Sequence, residues 1–212
     1  MTQRNPWEKT LLAGLRDRLV PHGFEPKIHG QACWVKTADG RASVHLNFGR
    51  YVDHLNVTVD VGLRFDELES LKNRCRSDLS PKESQDTYTL GVDYGNLLRT
   101  GWHPWVISSQ DDLPPAIKAI GQAVANTLIP WIQTYSNPDV VFQLMLNDHE
   151  AQHVCLRHVV AINAVGLAIL LGKGQMVDDL IEAKTEYLQS VQDRGLPLFR
   201  RFVDCIKKRQ LI

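Results

Sequence analysis

The sequence predicts an α+β fold: an antiparallel β-meander sheet packed on an N-terminal helix, followed by an α-helical C-terminal half. Three observations carry this. Apolar residues at Trp7, Leu11, Leu12, Leu15 and Leu19 recur at the spacing of one helix face. Two long stretches then alternate: Val44, Leu46 and Phe48 against His45 and Asn47, and Leu55, Val57, Val59, Val61 and Leu63 against Asn56, Thr58 and Asp60. Such period-2 alternation belongs to an antiparallel sheet with one face in the core and one polar face. From Asn137 onward the apolar period is helical. Strands first and helices second is an α+β order. Residues 1–110 read as the meander region and 111–212 as a helical region of the same compact unit.

The elements follow in order. A helix over Trp7–Val20 ends at Pro21-His22-Gly23. Ala32–Lys36 and Arg41–Gly49 flank Thr37-Ala38-Asp39-Gly40, and Asp-Gly between apolar runs signals a hairpin. Phe65–Arg76 reads as a short helix with Leu68 and Leu71 inward, and one edge strand is expected around Thr87–Val92. Pro104 keeps Trp102-His103-Pro104-Trp105-Val106 out of helical geometry. Asp111 and Asp112 precede a helix over Pro114–Thr134 that Pro130 should kink near Leu128. Asn137-Pro138 opens a helix to Leu146, and Asn147 or Asp148 caps another running to Leu171, stopped by Gly172-Lys173-Gly174. Gln175–Val191 carries Met176, Leu180, Ala183, Tyr187 and Val191 on one stripe, and Leu198–Gln210 forms a last helix.

Composition narrows the class. The chain has 212 residues, 43% hydrophobic and 23% charged, which excludes disordered and fibrous chains. Lys+Arg equals Asp+Glu at 24 each. No basic arm or stripe marks a nucleic-acid partner. The longest apolar stretch, Val159–Leu171, contains Asn163 and is shorter than the roughly 20 residues of a membrane span, so it reads as a buried helix. Met1–Thr10 is polar and lacks the apolar core of a signal peptide. Cys33, Cys75, Cys155 and Cys205 are scattered without a Cys-x-x-Cys pair, so reduced, buried thiols in a cytoplasm are expected.

One motif invites a catalytic reading. His149-Glu150-Ala151-Gln152-His153 satisfies H-E-x-x-H. In zinc hydrolases two His one helical turn apart hold the metal, and the Glu between them activates its bound water. With 8 His and 8 Glu in 212 residues, such a match arises by chance about 1% of the time. A third ligand is needed. His158 lies about 140° round a continuous helix from His153, while Glu182 and Glu186 fall on an amphipathic helix with ordinary exposed spacing. A structural account also covers the segment. Asn147 and Glu150 form a capping box, and His149 and His153 continue the stripe of Leu156 and Val160 as semi-buried side chains. Nucleophile elbows, phosphate loops and dinucleotide fingerprints are absent. The reading is therefore of no catalytic residue, no metal and no cofactor, with zinc held by His149 and His153 and Glu150 as base the alternative.

Two surfaces are candidates for binding. The polar sheet face (His45, Asn47, Asn56, Thr58, Asp60) is rich in short hydrogen-bonding side chains and poor in Lys and Glu. Trp102, His103 and Trp105 form an aromatic segment of the kind enriched in interface hot spots.

The order of signals is also similar to that of a known group. The helix with Leu12, Leu15 and Leu19 runs into Gly23-Phe24. A strand at Trp34, the two meander strands, Trp102-x-x-Trp105 and Leu128-Ile129-Pro130-Trp131 follow. Over residues 7–146 this resembles a bacterial family of unknown function, some of whose members look like immunity proteins encoded beside secreted toxins. The resemblance implies a non-catalytic binding protein whose partner is another protein, with a cognate toxin as the specific case; composition adds a cytoplasmic location and neither nucleic acid nor membrane as partner. Inhibitors of nucleases are often strongly acidic, so a balanced charge points to a non-nuclease target. A helical interaction module of a larger assembly is a further alternative.

Overall fold

A computed structural model describes residues 6–29, 31–76 and 78–210. In chain order its elements are α1 (Pro6–Leu19), β1 (Glu25–His29), β2 (Ala32–Thr37), β3 (Gly40–Arg50), β4 (Leu55–Phe65), α2 (Asp66–Arg74) and α3 (Pro81–Gln85). Then come β5 (Leu90–Asp93), α4 (Tyr94–Leu97), β6 (Trp105–Ile107), α5 (Leu113–Ala123), α6 (Ile129–Tyr135), α7 (Pro138–Leu146) and α8 (Asp148–Ala151). The chain ends with α9 (Arg157–Leu170), α10 (Val177–Ser190) and α11 (Leu196–Lys208). The fold is α+β, and the sheet order is β1-β2-β3-β4-β5 with β6 also on β4. The chain divides into two compact units, Met1–Leu63 with Gly91–Thr134, and Arg64–Leu90 with Tyr135–Ile212.

In the first unit the expected alternation sets the register. The β2–β3 hairpin closes at Thr37 opposite Gly40. Val44, Leu46, Val57, Val59 and Leu63 are wholly buried, and Leu11, Leu12, Leu15 and Leu19 of α1 are buried with them. A Cβ at Gly14 would lie 2.7 Å from the Ile117 side chain, so the glycine lets α1 lie close against α5. Between α5 and α6 the helix widens into a π turn over Val124–Leu128, ahead of Pro130. Proline donates no N–H and crowds the preceding turn, and the wider turn accommodates it. The expected kink therefore takes the form of a π turn.

The second unit is built around α9, whose Val160, Ala161, Ala164, Val165 and Ala168 are wholly buried. α2, α7, α10 and α11 pack against it. A helix apolar on most sides is a buried one, and among the described residues no helix is long and apolar enough to cross a membrane.

Four expectations need correction here. The expected edge strand at Thr87 begins only at Leu90. The polar groups of residues 87–89 are taken by side chains: Thr87 O and Oγ1 accept from Arg64, and Thr89 O accepts from Asn163 at 2.8 Å. The helix expected from residue 147 or 148 to 171 is two helices, α8 and α9, separated by turns at 152–156. Within the break the Cys155 thiol donates to Thr89 O. On α10 the buried stripe is Val177, Leu180, Lys184 and Leu188, whereas Met176, Ala183 and Val191 are exposed. Finally, Cys75 and Cys205 are joined in a disulfide across 130 residues, while Cys33 and Cys155 remain thiols.

Candidate functional site

The polar face of β3 and β4 assembles as its alternation requires. Asn47 Nδ2 donates to Asp60 Oδ2 at 2.7 Å, which fixes both strands' polar sides on one face. His45, Asn47, Thr58 and Asp60 are half-buried and Asn56 is 6% exposed. Burial pushes the Asp60 carboxyl above its ordinary range, with the Asn47 hydrogen bond and the His45 charge working against it. Asn56 Oδ1 is buried without a hydrogen-bond donor among the described residues.

The ends of this face carry residues that the sequence reading did not single out. Trp34 pairs with Ser43, and the Arg41 guanidinium lies 4.5 Å from the Trp34 ring centroid. At the other end Tyr51 stacks on His54 at 4.5 Å, and a Cβ at Gly49 would touch both the Tyr51 ring and Asn56 Cβ. His54 Nδ1 meets Asp53 Oδ1 at 2.7 Å, and this hydrogen bond holds the Asp53 carboxyl below its ordinary range. Tyr51 and Val52 are exposed.

The aromatic segment is placed by β6, which pairs Val57 with Trp105, Asn56 with Val106 and Leu55 with Ile107. Directly opposed residues of an antiparallel pair share a face. Trp105 therefore lies on the apolar side with the buried Val57. Val106, 53% exposed, joins Asn56 on the polar side. The two candidate sets consequently do not form one patch. Trp105 and His103 pack instead with Tyr94, at centroid separations of 5.3 to 5.5 Å. Gly95 makes room for this cluster, because a Cβ there would overlap the Gly101 carbonyl. Trp102 is 70% exposed.

The H-E-x-x-H segment does not lie on one helix. α8 ends at Ala151, so His153 sits in the following turn. Its capping is half of the expected box, with Asn147 Oδ1 accepting from Glu150 N at 3.3 Å. His149 and His153 are exposed rather than semi-buried, with ring centroids 6.1 Å apart and planes at 84°. His158 is on α9 and engages Asp193 at 3.2 Å. Among the described residues no three His, Cys, Asp or Glu side chains are grouped to hold a metal ion. The continuous helix that presents two imidazoles to one zinc ion is thus interrupted between them.

Comparison with known protein families, with curated proteins and with solved structures gave no match to this chain.

Proposed function

We propose that the chain is a non-catalytic binding protein whose partner is another protein, docked on the polar face of β3 and β4. The supporting observation is the make-up of that face. Its centre holds Asn47, Asn56, Thr58 and Asp60, and its surroundings present Tyr51, Val52 and Val106 to solvent. Exposed aromatic and aliphatic side chains beside satisfied polar groups are the composition of an interface. In the terms of the resemblance, the partner is a secreted toxin and this chain the immunity protein that masks it. A zero net charge suits a non-nuclease toxin.

That role places the chain in the cytoplasm. Disulfides persist in oxidising compartments, so trapping thiols by alkylation in intact cells decides this point. Free Cys75 and Cys205 in vivo agree with the cytoplasm, and an oxidised pair argues for an oxidising compartment. Binding is tested by co-expression with the product of the adjacent gene and by calorimetry. A complex lost in Val106→Glu and Tyr51→Glu, with the melting temperature unchanged, supports the reading. A complex indifferent to both substitutions overturns the docking face, and no complex with the neighbouring product overturns the immunity role.

A further inference from the structure

The second unit holds a cavity of about 310 Å³, every lining residue of which belongs to that unit. Its body is apolar, formed by Val159 and Ile162 of α9 and Leu198 and Phe202 of α11. Its charges are lopsided: Lys72, Arg76 and Arg201 line it against one carboxylate, Glu69.

The anionic group is already occupied. Glu69 is 1% exposed, and its Oε1 accepts from Lys72 Nζ at 2.6 Å and from Thr89 Oγ1 at 2.9 Å. Of the two guanidiniums, Arg201 is the less fully served. Arg76 pairs with Asp78 at 2.8 Å. Asp78 is held below its ordinary range by the Arg76 hydrogen bond first and also by the charge of Arg201. Arg76 thus holds Asp78 through two contacts, and Arg201 has no hydrogen bond or ion pair of its own among the described residues. The walls are tied together, because Cys75 at the end of α2 is bonded to Cys205 on α11.

We propose that this cavity binds a small amphipathic organic anion, a medium-chain or aromatic monocarboxylate, with its apolar part among Val159, Ile162, Leu198 and Phe202 and its carboxylate on Arg201. Small-molecule pockets start at about 300 Å³ and are apolar with a few convergent polar groups. At about 30 Å³ per water-sized group, the volume accommodates roughly ten non-hydrogen atoms, the size of octanoate. An arginine fork is the group that receives a carboxylate in bidentate fashion.

The test is calorimetric titration of the whole protein with octanoate, 1-octanol and, in parallel, amide chemical-shift mapping. Octanoate is expected to bind with Kd between about 10 μM and 1 mM, within the range open to a ligand of about ten atoms. 1-Octanol is expected to bind at least about tenfold more weakly, since it loses the charge-assisted bond. Arg201→Glu removes binding and Arg201→Lys retains part of it, with both variants melting as the parent does because Arg201 is exposed. Absence of heat and of shifts at about 5 mM octanoate overturns the proposal. So does equal affinity for the alcohol, or a titration unchanged in Arg201→Glu.

Discussion

Replacing Lys184 by methionine is expected to destabilise the helical unit and to loosen the segment that carries the histidine pair. Lys184 is 3% exposed, and its Nζ donates to Met145 O at 2.8 Å and to Asp148 Oδ1 at 2.8 Å. One ammonium thus closes the C-terminal end of α7 and pins the first residue of α8 to α10. Methionine keeps the apolar stem and removes the donors. The Met145 carbonyl is then left without that donor, at a cost of about 1–3 kcal/mol. The side chain of Asp148 is 22% exposed, so water takes over part of what it loses. Relief of the ammonium's own desolvation works in the opposite direction. The balance is a loss of about 2 kcal/mol, which for a chain of this length lowers the melting temperature by roughly 4–8 °C.

Thermal unfolding by circular dichroism measures that loss. Hydrogen exchange locates it, with faster exchange expected at Ala151 and Cys155, whose amides bond to Asn147 O and Ala151 O. Asp148→Asn, which keeps an acceptor for Lys184, is expected to lose less than Lys184→Met. A Lys184→Met protein melting within about 1 °C of the parent, with unchanged exchange over 147–155, would refute the assignment of Lys184 as the tie.

Asp60→Asn is expected to raise stability at pH 7 while keeping an acceptor for Asn47. Burial raises the folded pKa of Asp60 from the ordinary 3.8, so its ionisation opposes folding. Its favourable contribution is complete below 3.8 and is lost as pH rises through the raised value. The advantage of the variant should therefore shrink as melting is repeated toward acid, and a pH-independent gap would refute this. Asp112 has the opposite sign, since it accepts from Ser108 N, Ser109 N and Ser109 Oγ, and its carboxyl is held below the ordinary range. Asp112→Ala should lower the melting temperature at neutral pH, with the gap closing as pH falls through that lowered value. Replacing Cys75 and Cys205 by serine removes a link spanning 130 residues, which loop entropy values at about 4–5 kcal/mol in denaturant titration. Gly95→Ala collides with the Gly101 carbonyl and should disturb the Tyr94, His103 and Trp105 rings, read as a changed near-ultraviolet dichroism signal.

The sheet was legible because its alternation is local: each residue of β3 and β4 declares its face by parity alone, and the Asn47–Asp60 bond follows from that. The helical half was harder because its corrections come from partners far away in sequence. On α10 a lysine reads as solvent-facing, and only Met145 O and Asp148, more than thirty residues earlier, draw it inward and rotate the buried stripe. Between α8 and α9 no Gly or Pro marks the break. Across it the Thr89 carbonyl takes the Cys155 thiol at a separation of 66 residues and Asn163 at 74. The disulfide is of the same kind, since scattered cysteines carry no pairing information without the fold.

The candidate site shows where parity stops being sufficient. Parity orders residues within a strand, but which face a short strand such as β6 presents depends on its register against β4. With Asn56 opposite Val106, the residue that extends the polar face is a valine of no special composition, and the conspicuous Trp105 goes to the apolar side with Val57. Shifting that register by one residue would reverse the assignment. Aromatic content therefore drew attention to the segment, and the register decides which of its side chains extends the polar face. Val106 extends the polar face beside Asn56, while Trp105 lies on the apolar side, where it packs with Tyr94.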